Sequence, residues 1–292
     1  MKRTVALFIC MITIISVLAG CGGAGTGSSA PASEAASSSS AAQSAAGGNT
    51  PPAAGDANGL LTPGELKVAM EIGYPPFEFY ADDGSTPIGI DIELATAIAE
   101  ELGLEVKFED TAWDGIFSGL DIDKYDCVIS AVTINPERVK AMEFSTPYIE
   151  NWQAIVVKTG SDPVKSVEGL EGLTVGYQDA TTSDEYLDEL IQSGAVSCTV
   201  SEYDKVLNCF DDLRLGRINA VLCDSTVADG YISREPGVFE ITWLQSSEEG
   251  AEAEKFGVAM KKGNTDLQAA VNKALATLDS TGKLDEIRKN WL

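Results

Sequence analysis

The sequence predicts an α/β protein made of two lobes with a cleft between them. Short β-type runs alternate with helical patterns, which is the rhythm of βαβ units. This rhythm begins twice, once near residue 65 and again after Tyr148. The 233 residues from Leu60 to Leu292 are also enough to form two cores of ordinary domain size.

The first cycle of this rhythm contains three strands and two helices. Strands are predicted at residues 67–70, 105–108 and 127–130, and helices at residues 92–102 and 116–120. The first helix is well defined because its apolar residues recur at helical spacing and lie on one face. Asp91 is predicted to cap its N-terminus and Gly103 to end it.

The second cycle follows the same pattern and is succeeded by a C-terminal segment. Strands are predicted at residues 152–157, 173–177, 198–200 and 219–223, and helices at residues 183–192 and 205–215. The C-terminal segment contains a strand at 256–260, an amphipathic helix that ends before Gly282, and a short helix that ends near Trp291.

These elements divide into two lobes. We predict that residues 60–150 and 251–292 form lobe 1 and that residues 153–247 form lobe 2. The chain would then cross between the lobes near residues 150–153 and 245–250, and the two crossings would form a hinge. A cleft between two such lobes is a common position for a ligand.

The N-terminus has the pattern of a secretory signal at residues 1–20. Lys2 and Arg3 precede an apolar run of 15 residues, which is shorter than the roughly 20 residues of a membrane-spanning helix. The run ends in Leu-Ala-Gly-Cys and resembles the lipobox of bacterial lipoproteins, with lipid attachment at Cys21. Ordinary signal cleavage, with Cys21 as an incidental thiol, is the alternative. Several acyl chains would anchor the exported protein to the outer face of the cytoplasmic membrane.

Residues 22–59 contain only small, polar or acidic residues together with proline. Such a segment buries too little apolar surface to offset the entropy cost of ordering, so we predict a lipidated cysteine and disordered tether over residues 21–59. A flexible coil of this length spans roughly 30–40 Å. It would therefore hold a folded domain close to the membrane.

Composition excludes several classes of function. With 45 acidic and 20 basic residues the formal net charge is −25, which repels nucleic acid and anionic lipid headgroups. Histidine is absent, so the usual general base of hydrolases and the commonest transition-metal ligand are missing. We expect no cofactor, no metal and a monomeric protein. The cysteines of the folded part lack zinc-site spacing, and buried free thiols are favoured slightly over disulfides: Cys127, Cys198, Cys209 and Cys223.

A segment around residues 130–138 combines features that bind anions. It runs from the end of a strand through Ser130, Ala131 and Thr133 into a helix with Pro136 in its first turn. Arg138 could hold a carboxylate through two parallel charge-assisted hydrogen bonds. Pairing of Arg138 with a surface acid is an equally good interpretation of the spacing.

The predicted second lobe has two comparable strand ends. Thr182 with Glu185 fits a capping box, which would leave the hydroxyl of Thr181 free to face the cleft. Asp224 directly follows a strand, at the end where ligand contacts are common in open α/β sheets, and it could pair with an ammonium group. An N-cap for the helix that begins near Ser225 would also explain this aspartate.

Tyr74 and Trp113 are predicted to lie in loops of the first lobe, where they could form two walls around a ligand. Core packing is the commoner use of such aromatic residues. Glu71 follows the first strand and could add a negative group at the far end of the ligand. A solvated acid at this position is about as good an interpretation.

Five sequence blocks, taken in order, resemble the polar amino-acid binding proteins of ABC importers. They are GYPPF at residues 73–77, GIDIEL at 89–94, WDG at 113–115, TINPER at 133–138 and FSTPY at 144–148. The likeness extends over nearly all of residues 65–292. It implies a type II periplasmic-binding-protein-like fold in which a ligand lies in the cleft between the lobes.

The resemblance also implies roles for individual residues. Arg138, together with Thr133, Ser130 and the loop at Thr181, would hold the ligand carboxylate, and Asp224 would bind the ligand ammonium group. Of these residues, Thr133 and Arg138 lie within the quoted block at residues 133–138.

Further roles follow for the remaining candidates. Tyr74 and Trp113 would enclose the ligand side chain. Ala131 stands where some relatives have serine, so that a contact there would use the backbone. Glu71 matches an acidic position in relatives specific for arginine, cystine or glutamine, which narrows the ligand to polar side chains.

The leading hypothesis is therefore an extracytoplasmic binding protein that is not an enzyme. It would bind a free polar L-amino acid, either a cationic amino acid, cystine or glutamine, and deliver it to the permease subunits of an ABC importer. The alternative is an exported dehydratase of the cyclohexadienyl or arogenate type, which would need an acid to protonate a leaving group. A ligand sensor ranks third, because no signalling segment is recognisable.

Overall fold

The computed structural model describes residues 58–292. The predicted signal peptide, the lipid attachment at Cys21 and all but the last two residues of the predicted tether lie outside these residues. Within 58–292, no helix combines the length and the apolar character that crossing a membrane requires.

Fourteen strands and eight α-helices are present in the described part. The strands are β1 Glu65–Met70, β2 Phe79–Tyr80, β3 Pro87–Ile88, β4 Glu105–Asp110, β5 Cys127–Val128, β6 Met142–Phe144, β7 Ile149–Asn151, β8 Gln153–Lys158, β9 Thr174–Gln178, β10 Thr199–Tyr203, β11 Ala220–Asp224, β12 Phe239–Leu244, β13 Glu254–Phe256 and β14 Ala259–Lys261. The helices are α1 Ile90–Leu102, α2 Trp113–Asp121, α3 Pro136–Ala141, α4 Thr182–Gln192, α5 Val206–Leu215, α6 Ser225–Arg234, α7 Thr265–Ser280 and α8 Lys283–Trp291.

The first of two five-stranded sheets has the order β4-β1-β5-β14-β6. Strand β1 pairs in parallel with β4 and β5, whereas β14 pairs antiparallel with β5 and β6. Central parallel strands are covered on both faces, and accordingly Leu66, Val68, Ala69 and Met70 are all fully buried. Helices α1, α7 and α8 pack against one another beside this sheet.

The second sheet repeats this plan with the order β10-β9-β11-β8-β12. Strand β9 lies parallel to β10 and β11, and β8 lies antiparallel to β11 and β12. Helices α4, α5 and α6 cover it. The α/β class and the two sheet-rich halves agree with the fold class predicted from the sequence.

A separate two-stranded sheet joins the segments that lead from one large sheet to the other. Strand β7 pairs antiparallel with β13, with Glu254 opposite Asn151. The prediction of one strand at 256–260 is wrong, because the chain forms β13 before Gly257 and β14 after Val258. At Gly257 the backbone passes so close to Ile134 that a Cβ atom would lie 2.8 Å from its Cδ1.

Helix α1 corrects the predicted role of Asp91. The N-cap residue is Gly89, with no side-chain cap, and Asp91 is a fully buried residue within the first turn. A Cβ atom at Gly89 would lie 2.1 Å from the carbonyl oxygen of Phe77, so only glycine fits this close approach. Gly103 ends the helix in the left-handed conformation, as predicted.

Other differences concern short elements and the cysteines. Helix α2 begins at Trp113, so this residue lies in a helix and not in the loop that was predicted. Strands β6, β7 and β12 were not predicted, since two of them have only three residues and all pair with distant segments. All four cysteines of the described part are free thiols, and three are buried.

Candidate functional site

A cavity lies between the two large sheets. All nine residues proposed from the sequence line it, together with two that were not proposed. The lining residues are Glu71, Tyr74, Trp113, Ser130, Ala131, Thr133, Arg138, Gln178, Thr181, Thr182 and Asp224. Their binding roles stay predictions, whereas their convergence on one cavity is a feature of the fold.

The first sheet contributes residues from the carboxyl ends of neighbouring parallel strands. Glu71 follows β1, and Ser130 and Ala131 come shortly after β5. The hydroxyl of Ser130 accepts the backbone N–H of Glu71 at 3.1 Å, which ties the two strand ends together. Ala131 has a φ of 45°, a conformation that alanine rarely adopts and that is often found at functional sites.

Arg138 lies in the first turn of α3, where the predicted strand-to-helix transition is present. Asn135 caps this helix by accepting the backbone N–H of Arg138 at 2.8 Å. The guanidinium group lies over the rings of Trp113 and Phe117, 5.5 Å and 5.3 Å from their centroids. Burial lowers its pKa, and nearby carboxylates including that of Glu185 oppose this shift.

No carboxylate of the described residues forms an ion pair with Arg138. Its Nη1 and Nη2 donate only to the carbonyl oxygens of Thr133 and Ala180, at 3.3 and 3.4 Å. The alternative of pairing with a surface acid is therefore wrong in this structure. A partly buried guanidinium group that faces a cavity and has no ion-pair partner is suited to bind a carboxylate.

The second sheet contributes the last residues of two parallel strands. Gln178 ends β9 and Asp224 ends β11, which places both side chains at the carboxyl edge of the sheet. The backbone of Asp224 occupies the N-cap position of α6, but its side chain makes no capping bond. Its carboxylate instead accepts the hydroxyl of Tyr74 at 2.6 Å and the amide of Asn151 at 2.6 Å.

The capping roles of the two neighbouring threonines are the reverse of the prediction. Thr181 caps α4: its hydroxyl accepts the N–H of Asp184 at 3.4 Å and donates to the carbonyl of Gln178 at 2.7 Å. Thr182 is the first helical residue, and its hydroxyl lies 3.5 Å from that of Thr133. The capping box predicted at Thr182 and Glu185 is therefore wrong.

Both predicted aromatic walls connect the two halves of the site. Tyr74 bonds to Asp224 as described, and the indole Nε1 of Trp113 donates to the carbonyl oxygen of Ala180 at 3.0 Å. Gln178 Nε2 donates to the Glu71 carboxylate at 2.5 Å. The cavity is thus closed by direct hydrogen bonds between residues of the two large sheets.

Asp224 belongs to a pair of acids. The side-chain amide of Asn151 donates to both Asp224 and Glu254, at 2.6 and 3.1 Å, and the amide of Gln153 donates to the same two carboxylates at 3.2 and 2.9 Å. The pKa of Asp224 is raised to about 7, first by burial and then by the negative charge of Glu254. Burial also raises the pKa of Glu254.

Glu71 is the second acid that lines the cavity. Its carboxylate accepts the backbone N–H of Trp113 at 3.2 Å as well as the amide of Gln178. Burial raises its pKa, whereas the two hydrogen bonds and the charge of Lys205 lower it. Glu71 is buried, which rules out the interpretation that it is a solvated surface acid.

The arrangement provides a cation at one position and carboxylates at two others. Sequence reasoning missed Gln178 and Thr182, although Gln178 ends its strand in the same way as Asp224 ends β11. Among residues 58–292, no three Cys, Asp or Glu side chains are grouped so as to hold a metal ion. The site therefore suits a small molecule that carries both charges.

Comparison with known proteins identifies the family. The sequence profile of the bacterial extracellular solute-binding proteins, family 3, matches residues 66–292. The chain belongs to this family. The resemblance seen in the sequence is confirmed for both family and fold.

Individual relatives share most of its length. An L-cystine-binding protein of Escherichia coli K12 is 37% identical over 78% of this chain and 82% of its own. The structure of an ancestral arginine-binding protein bound to arginine is 38% identical, with a TM-score of 0.72, covering 78% of this chain and 98% of its own. An ancestral amino acid-binding protein, a precursor of cyclohexadienyl dehydratase, is 33% identical, with a TM-score of 0.69 over 78% and 95% of the two chains.

Gly230 allows the two halves of this solute-binding protein to approach closely. It lies in α6, and a Cβ atom at this position would be 2.6 Å from the carbonyl oxygen of Pro75 and 3.0 Å from Cδ of Pro76. We predict that Gly230→Ala weakens ligand affinity roughly ten- to hundredfold, because overpacking of this contact costs about 1–3 kcal/mol in the closed form. Isothermal titration calorimetry measures the affinity.

The predicted loss of affinity is caused specifically by the contact of Gly230 with Pro75 and Pro76 in the closed form. Alanine favours a helix over glycine by about 1 kcal/mol, so the melting temperature without ligand is expected to stay the same or rise. Gly115→Ala, the same change at an exposed position of α2 where a Cβ atom would meet nothing within 4 Å, serves as the control with unchanged affinity. Affinity in Gly230→Ala equal to that of the wild type would contradict the prediction.

Proposed function

We propose that this protein binds a free polar L-amino acid in the cavity between its two sheets and delivers it to an ABC importer. The observation that supports this most is the position of Arg138, a cation with no ion-pair partner among residues 58–292, in the same cavity as the carboxylate of Asp224. A free amino acid carries a carboxylate and an ammonium group, and each would find the opposite charge. Thr133 would add a hydroxyl contact to the carboxylate, whereas the hydroxyl of Ser130 and the N–H of Ala131 already donate to Glu78 and Asp91.

The class of side chain is narrowed by Glu71 and Gln178. The Glu71 carboxylate can only accept hydrogen bonds when it is ionised, so it favours ligands whose side chains end in a donor. Guanidinium, ammonium and amide groups fit this requirement, and a carboxylate does not. The proposed ligands are therefore a cationic amino acid, cystine or glutamine.

The relatives support the same class of ligand. Their names give L-cystine in one case and arginine in another, and a second structure of an ancestral arginine-binding protein is bound to glutamine. Each is about as similar to this chain as the others, at 37–38% identity. This similarity does not favour one of the three ligands.

The cellular setting is also part of the proposal. A signal peptide, lipid attachment at Cys21 and a tether up to residue 59 would hold the domain beside the membrane, where the closed, loaded form meets the permease subunits. Tethering raises the effective concentration of a receptor near its partner, so even a weak docking contact would suffice. Binding as a monomer is consistent with a cavity formed within one chain.

We propose that the protein is not an enzyme. The alternative, a dehydratase of the cyclohexadienyl or arogenate type, is favoured by one observation: the pKa of Asp224 is raised to about 7, which is suitable for a general acid. Asp224 also lies where the proposed ammonium group would bind, and one carboxyl cannot serve both roles at once. Release of product from arogenate or prephenate by the purified protein would support the dehydratase.

A panel of free amino acids tests the proposed function. We expect arginine, lysine, cystine or glutamine to raise the melting temperature of residues 60–292 by several degrees, because a ligand at about 100 times its Kd stabilises a protein by roughly 2.7 kcal/mol. Glutamate and aspartate are expected to give no shift, since their side chains would face Glu71. Differential scanning fluorimetry measures the shift and calorimetry verifies it. The absence of any shift or heat across the panel would rule the proposal out.

A further inference from the structure

Two fully buried carboxyl groups lie behind the wall of the cavity, those of Glu78 and Asp91. Glu78 follows the loop of Tyr74, and Asp91 is the second residue of α1. Neither side chain lines the cavity, so neither has a place in the ligand contacts proposed above. Both contact residues that do line it.

The two acids hold consecutive residues of the cavity wall. The carboxylate oxygen Oε1 of Glu78 accepts the hydroxyl of Ser130 at 2.5 Å. The oxygen Oδ2 of Asp91 accepts the backbone N–H of Ala131 at 2.7 Å and the hydroxyl of Tyr148 at 3.0 Å. Because Ala131 has a positive φ, the bond from its N–H to Asp91 helps to keep a conformation that the chain would otherwise avoid.

The remaining oxygen of each carboxyl group lacks a donor. Among the described residues, no N–H or O–H group of another residue reaches Oε2 of Glu78 or Oδ1 of Asp91. The two carboxyl groups are neighbours, because they accept hydrogen bonds from the consecutive residues Ser130 and Ala131, and the backbone N–H of Asp91 donates to the carbonyl oxygen of Phe77, next to Glu78, at 2.9 Å. Ionised carboxylates only accept hydrogen bonds, so a bond between them requires a proton on one of the two. Two negative charges side by side in a buried region would also be very unfavourable.

We propose that Glu78 and Asp91 share one proton, carried by Glu78, and that this pair fixes the cavity wall at Ser130 and Ala131, which leads directly to Thr133 in the proposed carboxylate site. Glu78 is the carrier because Asp91 already accepts two hydrogen bonds and Glu78 accepts one. The positioning role rests on the proposed function, whereas the shared proton does not. Both residues are positioning residues, since they act on the ligand through Ser130 and Ala131.

The electrostatic surroundings agree with this assignment. Burial raises the pKa of Glu78 well above its ordinary value, and the charges of Asp91 and Glu71 raise it further. The pKa of Asp91 is raised to about 6 by burial, with the bonds from Ala131 and Tyr148 opposing. The other titratable groups that face the pair are the hydroxyls of Tyr74 and Tyr148.

The direction of the pH effect follows from the raised pKa. The neutral donor at Glu78 is present at neutral pH, and its contribution is lost when the pH rises through the pKa of this carboxyl. Wild-type affinity should therefore decrease on the alkaline side. Glu78→Gln has an amide N–H that donates to Asp91 and does not titrate, so its affinity should change less over the same pH range.

Infrared spectroscopy tests the shared proton without any ligand. At pH 7, the difference between wild type and Glu78→Gln is expected to contain the carbonyl band of a protonated carboxyl group. Asp91→Asn should remove the same band, because its amide can donate to an ionised Glu78. Glu100→Gln, the same chemical change at an exposed position of α1, is the control that leaves the band in place. If neither Glu78→Gln nor Asp91→Asn lacks a protonated-carboxyl band that the wild type shows, the proposal is overturned.

Ligand binding tests the positioning role. Measured with arginine, cystine and glutamine at pH 7, Glu78→Gln is expected to bind within about threefold of wild type. Glu78→Leu leaves Ser130 without its acceptor and Asp91 without its donor, and its affinity should fall about tenfold or more.

Two outcomes separate the parts of the inference. If Glu78→Gln binds ligand as weakly as Glu78→Leu, the positioning role is overturned. If the leucine variant does not fold, a loss of affinity in Glu78→Gln of more than about threefold relative to wild type overturns it. A protonated band in a wild-type protein that binds no amino acid would support the shared proton and reject the proposed function.

Discussion

Arg138→Ala is expected to abolish the ligand-induced rise in melting temperature. The substitution would leave the ligand carboxylate in a partly buried site without its cation, and loss of one partner from such a charge pair costs about 2–5 kcal/mol. This corresponds to a decrease in affinity of roughly 30- to several-thousandfold. Scanning fluorimetry with saturating wild-type ligand, followed by calorimetry, measures the loss.

The effect of this substitution can be attributed to ligand binding, and a second variant tests the geometry of the contact. Arg138 forms no ion pair among residues 58–292, so its removal leaves no buried carboxylate without a partner, and the melting temperature without ligand should change little. Arg138→Lys keeps the charge but loses the two parallel hydrogen bonds, and it should bind with intermediate affinity. Wild-type affinity in Arg138→Ala would show that the carboxylate binds elsewhere.

Asp224 makes ligand binding depend on pH. Because its pKa is raised to about 7, its carboxyl group is largely protonated in mildly acidic solution, whereas a ligand ammonium group binds the ionised form. Binding should therefore release a proton, and affinity should fall as the pH decreases from 7 to 5, by at most about tenfold per unit. Calorimetry in two buffers with different ionisation heats measures the released proton.

Without ligand, the contribution of Asp224 to the free energy of unfolding changes with pH in the opposite direction to the ligand affinity. A raised pKa means that the folded state favours the protonated carboxyl, so the contribution of Asp224 is fully present below about pH 4 and is lost as the pH rises through about 7. Asp224→Asn removes this titration. It should flatten the pH dependence of binding and weaken affinity at pH 7 by a hundredfold or more, since breaking a buried ion pair costs about 3–5 kcal/mol.

The matched control for Asp224→Asn is the same change at an exposed position. Asp188 lies on the exposed side of α4, and Asp188→Asn should leave both the affinity and its pH dependence unchanged. If Asp224→Asn retains the pH dependence of the wild type, the titrating group is another acid of the site, and Glu254 is then the first residue to replace.

Much of the fold could be predicted because local patterns carry the information. Buried parallel strands read as apolar runs, and α1 was recognised from its apolar face and the glycine that ends it. The same reasoning failed where a residue's partner is distant in sequence. Asp91 has the form of an N-cap, yet its carboxylate accepts the N–H of a residue 40 positions away.

The site was predicted in the same uneven way. Asp224 was proposed because it lies at the carboxyl end of a strand, where ligand contacts are common in open α/β sheets. Gln178 was missed although it has the same position on β9, and the capping roles of Thr181 and Thr182 were exchanged. Glu254 could not be proposed, because only the pairing of β13 with β7 brings it near Asp224.

The sequence alone therefore determined the α/β class, the family and the set of polar residues at strand ends, since these depend on periodicity and on short motifs. The tertiary structure alone decided which of the acids are buried and paired. Burial and long-range hydrogen bonds shift the pKa values of Asp224, Glu78 and Asp91, and the partners of Glu78 and Asp224 lie 52 and up to 150 residues away in the chain. Charge in this site is a property of packing, which no local pattern encodes.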